Sequence, residues 1–151
     1  MDVRINFRAE GLSDLTKKLE ALKNIEKDPR IDKALGRGGT RIQAAVKMLT
    51  PVDSSNLVNK IVLNHNKMME YAVQTNVEYA VYVEYGTGKL GDPSVPHTSK
   101  ESWTYYNEYL QKFITTHGQK PAHMFTKGFA QAHKTAFNIV RKEVKEIVNN
   151  G

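Results

Sequence analysis

Gly86-Thr87-Gly88-Lys89 is the run in this chain closest to known catalytic machinery. A phosphate-binding loop needs a glycine five residues before its Gly-Lys pair and Ser or Thr after it, so that backbone N–H groups cradle the phosphates and the hydroxyl reaches Mg2+. Val83 and Leu90 occupy those places, and the run reads as a turn. His65, His97, His117, His123 and His133 offer ring nitrogens, yet none forms the His-x-x-x-His of metal ligation on a helix. Ser54, Ser55, Ser94, Ser99 and Ser102 lack both a Gly-x-Ser-x-Gly elbow and a local activating partner. Glu78 and Glu84, six residues apart, are not juxtaposed for acid–base work and read as solvated charges. Cysteine is absent, which removes thiol nucleophiles, disulfides, zinc ribbons and iron–sulfur ligation. Trp103, Tyr105, Tyr106 and Tyr109 beside lysines are of the type that stacks on bases, but cores and subunit interfaces use the same residues more often. The expectation is a protein without cofactor, metal or enzymatic activity.

The elements around these residues follow from periodicity. Val3, Ile5 and Phe7 alternate with Asp2, Arg4, Asn6 and Arg8 as in a half-buried strand. Leu15, Leu19, Leu22 and Ile25 predict an amphipathic helix over 13–26, capped by Ser13. Asp28-Pro29 starts a second helix that carries Ile31, Ala34, Leu35, Ile42, Ala45, Val46 and Leu49 on one stripe and stops at Thr50-Pro51. Gly36, Gly38 and Gly39 inside it imply a kink, a break or close approach of another backbone. Leu57–Leu63 and Met69–Thr75 read as a hairpin with its tip at 64–67, the second strand pairing with the N-terminal one. Residues 79–85 are ambiguous between strand and helical turn. Trp103, Tyr106, Leu110 and Phe113 fall at helical spacing and predict a short aromatic helix over 100–115, between loops. A last helix, about 123–148, carries Phe129, Ala132, Ala136, Ile139, Val140, Val144 and Ile147 and covers the sheet. The expected fold is α+β: a small antiparallel sheet packed against a long C-terminal helix, with two N-terminal helices and a loop-rich insertion. With 151 residues the chain is expected to be a single domain, residues 87–121 forming an inserted arm.

Lys plus Arg number 22 against 16 Asp plus Glu, a net charge of +6, distributed unevenly. Residues 30–67 and 112–145 each hold seven basic side chains, with two and one acidic respectively, while 79–108 hold two basic and four acidic. Such unlike patches can meet between copies. No apolar run approaches a membrane span, and MDVRINFRAEG alternates where a secretory signal would be apolar, so the chain is expected to be made in the cytoplasm.

Three islands, Thr50-Pro51-Val52-Asp53-Ser54-Ser55-Asn56-Leu57 with Val58-Asn59-Lys60-Ile61, Tyr79-Ala80-Val81-Tyr82-Val83-Glu84-Tyr85-Gly86-Thr87-Gly88, and Gly118-Gln119-Lys120-Pro121-Ala122-His123-Met124-Phe125 with Phe129-Ala130, occur in that order. Together they resemble the HK97 gp10-type family of tailed-phage and prophage virion proteins. The correspondence runs over about 30–140, with Ser54-Ser55 where that family usually has Thr-Gly and His123-Met124-Phe125 where it has Pro-Phe. The resemblance implies a head–tail joining, tail-completion or neck protein, located in the virion and made in the host bacterium. It would assemble as a ring, possess no enzymatic activity, and adjoin head-completion or connector proteins and tail-tube or terminator proteins. DNA would pass nearby without specific binding. Pro51, Asp53, Leu57, Tyr79, Ala80, Tyr82, Glu84, Tyr85, Gly86, Thr87, Gly88, Trp103, Pro121 and Phe125 are the expected interface or structural motif residues. The loop 51–56, the tip 64–67 and the arm 87–121 are the expected joints. A tail terminator, a minor capsid component and, from another class, a basic nucleic-acid-binding module are the alternatives.

Overall fold

The computed structural model describes residues 12–51, 55–108 and 110–150. In chain order its elements are α1 (Leu12–Lys23), α2 (Pro29–Leu49), α3 (Ser55–Lys60), the β1–β2 hairpin (Val62–Lys67 and Glu70–Gln74), α4 (Ala80–Tyr85), the β3–β4 hairpin (Trp103–Asn107 and Lys112–Thr116) and α5 (Met124–Asn150). The chain is α+β, with the long α5 lying on α2 and the strands beside them. The strand expected at Val3–Phe7, and its pairing with the second strand, lie outside the described residues.

Asp28 caps α2 as its sequence predicts: the carboxylate accepts the Arg30 N–H at 2.8 Å, with Pro29 at the first helical position. At the other end Thr50 Oγ1 donates to the Val46 carbonyl at 2.8 Å, and Pro51 follows. The three glycines leave α2 unbroken and serve close approach. A Cβ on Gly36 would lie 3.1 Å from the Tyr71 ring, one on Gly38 3.2 Å from the Ala136 carbonyl oxygen, and one on Gly39 2.6 Å from Leu63 Cδ1. On α5, Gly128, Ala132 and Ala136 recur every four residues and are buried, so the two helix backbones meet over a flat row.

Two segments fold differently from their sequence expectation. Residues 55–60 are helical rather than extended, because Leu57 and Ile61, four apart, both enter the core. The first hairpin is therefore shorter, β1 continues through the expected tip to Lys67, and the turn falls at Met68 and Met69, where Met69 adopts φ +66°. Asp32 of α2 ties this turn down, accepting the Met69 N–H at 2.7 Å and facing the Tyr71 hydroxyl at 3.3 Å and His65 Nε2 at 3.2 Å.

The aromatic segment is the second difference: 100–115 is not a helix but most of a β-hairpin, registered as Trp103↔Thr116, Tyr105↔Ile114 and Tyr106↔Phe113. Each hairpin is a separate two-stranded sheet. The core gathers Val46, Leu57, Ile61, Ala80, Val83 and Met124, contributed by four separate stretches of chain, with Ile42, Leu49, Val73, Val77, Ala122 and Phe125 packed around them.

Candidate assembly site

The motif islands converge on that core. Leu57 comes from the first, Ala80 and Val83 from the second and Met124 from the third, with the Thr50 hydroxyl 3.3 Å from Met124 Sδ. The second and third islands are also joined through their backbones. Gly86, at φ +73°, ends α4 and donates its N–H to the Tyr82 carbonyl at 2.8 Å. The carbonyls of Val83 and Glu84 have no partner further along α4, and accept the N–H groups of Ala122 (2.9 Å) and His123 (3.0 Å). Thr87 and Gln119 exchange two backbone hydrogen bonds, at 2.8 and 3.1 Å. A Cβ on Gly86 would collide with the Gln119 carbonyl oxygen and lie 2.8 Å from the Pro121 nitrogen, so glycine is required twice over, for conformation and for space.

Glu84 corrects its sequence reading. It is not a solvated charge but 5% exposed, and its carboxylate accepts the Phe125 N–H (2.8 Å), the Thr126 N–H (3.0 Å) and the Thr126 hydroxyl (2.6 Å). The first N–H groups of α5 have no acceptor within their own helix, and the positive end of the helix favours an anion there. Three charge-assisted donors offset the desolvation of the carboxylate. The signal was present in the sequence: Tyr79–Tyr85 carries one charge in an otherwise apolar run, and a charge in such company needs a partner.

The other expected residues divide by exposure. Ala80, Gly86 and Gly88 are buried, and Pro51, Tyr85, Thr87, Trp103, Pro121 and Phe125 are partly buried. Asp53 lies outside the described residues. Tyr79 and Tyr82 are exposed and, with Trp103, Tyr105 and Thr87, line an open cleft of about 580 Å3 between α4 and the β3–β4 hairpin. A Cβ on Gly88 would lie 2.8 Å from Trp103 Cζ3, so the indole seats the base of that hairpin on the 88–90 turn.

The charge patches are smaller than the sequence implies. Of the four acids in 79–108, Glu84 is consumed by α5 and Glu101 pairs with Lys89 at 2.8 Å. Hydrogen bonds from the Ser94 side chain and N–H hold the Asp92 carboxyl below the usual carboxylate range, and His123 Nε2 lies 3.5 Å away. Glu108, exposed in the β3–β4 turn, forms no ion pair among the described residues. On α5, Lys127, Lys134 and Arg141 are exposed at seven-residue intervals, with the Arg141 guanidinium 5.2 Å from the centre of the Phe137 ring. Among the described residues no group of His, Asp and Glu could hold a metal ion, and no helix is long and apolar enough to cross a membrane.

Residues 13–86 match a protein family described as "Bacteriophage HK97-gp10, putative tail-component". Over that stretch the chain is similar to the HK97 gp10-like family. The match contains the first island and the second as far as Gly86, so the HK97 gp10-like segment reaches from α1 through α4, while the β3–β4 hairpin and α5 lie beyond it. The match to a family of putative tail components supports a structural role among phage proteins, in the virion. No curated protein and no solved structure matches the chain.

Proposed function

We propose that this protein joins head and tail in a tailed phage or prophage, completing the tail or neck as a ring built from protein–protein contacts, without catalysing a reaction. The observation carrying this reading is the division of labour within the motif region. Its glycines, Glu84 and small apolar residues are spent on holding the fold together, while large apolar side chains on other elements remain bare: Phe113 is 74% and Phe137 62% exposed. Exposed aromatics on separate elements are what an assembling subunit presents to neighbours.

Electron microscopy of the protein mixed with tails or capsids tests it. A ring of added density at the junction is expected, together with particles that fail to join when the protein is omitted. Normal joining without the protein would overturn the reading. A tail terminator or minor capsid component shares the same surfaces, and the position of the ring separates these roles.

The basic face of α5 favours a second reading, a nucleic-acid-binding module. That reading requires DNA affinity falling steeply with salt, one counterion per phosphate contact. Weak, unspecific binding is expected instead.

A further inference from the structure

The solvent side of α5 carries a basic stripe that no acid shields. Lys127, Gln131, Lys134, Asn138, Arg141 and Lys145 recur at alternating steps of four and three, so they share one face of the helix, and all of them are exposed. From Lys127 to Lys145 the stripe runs about 27 Å at about 1.5 Å per residue. Its cations form no ion pair among the described residues. The two acids of α5 stand elsewhere: Glu143 pairs with Arg37 of α2 at 3.0 Å, and Glu146 lies about 100° round the helix from Lys145. Resting on the ring reading above, we propose that through this stripe each copy of the ring contacts the phosphate backbone of duplex DNA, without reading its sequence.

The side chains select that occupant. Lys and Arg neutralise phosphates, and the amides of Gln131 and Asn138 donate N–H groups to phosphate oxygens. A protein partner would need an apolar centre, from which lysine is depleted, and the stripe holds no apolar side chain. Phe137 borders it beneath the Arg141 guanidinium, but lines the groove between α2 and α5. The same lack of apolar residues removes a lipid surface, into which a helix must insert them, and a single strand, which needs aromatic rings to stack on.

A second copy of the chain does not fit the stripe either. Glu84, Glu70 and Glu101 are engaged within their own chain, and the acids of α1, Asp14 and Glu20, alternate with Lys17, Lys18 and Lys23. None of these elements offers an acidic face to match about 27 Å of cations. Duplex DNA carries about one negative charge per 1.7 Å of its axis and meets the whole length of the stripe. One copy makes few contacts and binds weakly, whereas copies held together add theirs at high effective concentration.

Two double variants of equal charge make the test. Lys134→Gln with Arg141→Gln alters the stripe, and Lys17→Gln with Lys23→Gln removes the same charge at exposed positions of α1. Binding of the full chain to a fluorescent duplex of random sequence is followed by anisotropy at several salt concentrations, with matched thermal melts as the control for folding. The parent should bind weakly, the α5 variant should lose about tenfold in affinity and lower the salt slope by about two, and the α1 variant should stay close to the parent. Equal losses in the two variants would reduce the effect to net charge and overturn the stripe. Tighter binding of single-stranded DNA would also overturn it, as would competition by polyglutamate as effective as by duplex DNA of equal charge. Rings are scored separately by electron microscopy with tail or capsid particles. Rings from a parent protein whose DNA binding does not depend on the stripe would leave the ring reading standing. Stripe-dependent binding by a chain that never forms rings would overturn the ring reading and leave the DNA contact.

Discussion

Glu84 and Thr126 are joined twice: one carboxylate oxygen accepts both the backbone N–H of Thr126, at 3.0 Å, and its hydroxyl, at 2.6 Å. The residues are 42 apart in sequence, so this small network fixes the start of α5 against the end of α4. Glu84→Ala removes every acceptor and should lower unfolding free energy by about 2–3 kcal/mol. Glu84→Gln keeps one acceptor oxygen and should cost about 1 kcal/mol. Urea denaturation with an unchanged slope checks both, and a Glu84→Gln protein as stable as the parent would mean that the charge contributes nothing.

Gly128 faces the α2 backbone with no room to spare, since a Cβ there would lie 2.8 Å from the Val46 nitrogen and 2.9 Å from its Cα. Gly128→Val must push the helices apart and should destabilise by about 1–3 kcal/mol. At Gly38 the nearest atoms would be 3.2 Å away, and the helix propensity gained, about 1 kcal/mol, opposes the crowding. Gly38→Ala should change thermal stability little, and a loss as large as that of Gly128→Val would contradict this account of the crossing.

Gly86→Ala combines a left-handed backbone, about 1–2 kcal/mol, with a collision against the Gln119 and Pro121 backbone, about 1–3 kcal/mol. A loss of about 2–5 kcal/mol in the melting transition is expected. Amide exchange should quicken at Thr87 and Gln119 before it quickens in the middle of α2. Uniform quickening would show that this joint does not open locally.

Acid should loosen the first hairpin. The Met69 N–H, helped by His65 and Tyr71, holds the Asp32 carboxyl below the usual carboxylate range. A depressed folded value contributes stability above the unfolded value of about 3.9, and that contribution disappears as pH falls through the lower folded one. Thermal midpoints between about pH 2 and 6 should therefore fall more steeply for the parent protein than for Asp32→Asn. Parallel curves would remove Asp32 from the acid response.

Helices whose apolar residues repeat over several turns were legible in the sequence, and so was the Asp28 cap, since both signals are local. Shorter segments were not. Trp103, Tyr106, Leu110 and Phe113 mimic helical spacing, yet two of them, Tyr106 and Phe113, are neighbours across paired strands, and Trp, Tyr, Phe, Ile and Thr favour strands. Leu57 and Ile61 satisfy either period over so few residues, and the core decided in favour of the helix. The role of Glu84 depends on a partner from a distant island, which spacing does not reveal. The charge patches read from the sequence shrank because Glu84 and Glu101 find partners inside the chain.

The joint between Gly86 and Gln119 has one more implication. Residues of the matched stretch stabilise a frame, while the bare aromatics Phe113 and Phe137 lie past it. Exchanging an exposed residue such as Phe113 or Phe137 should therefore leave the subunit folded, while Gly86 and Glu84 allow no such freedom. Compatibility between particles would then be rewritten at the periphery, in the letters that the shared signature omits.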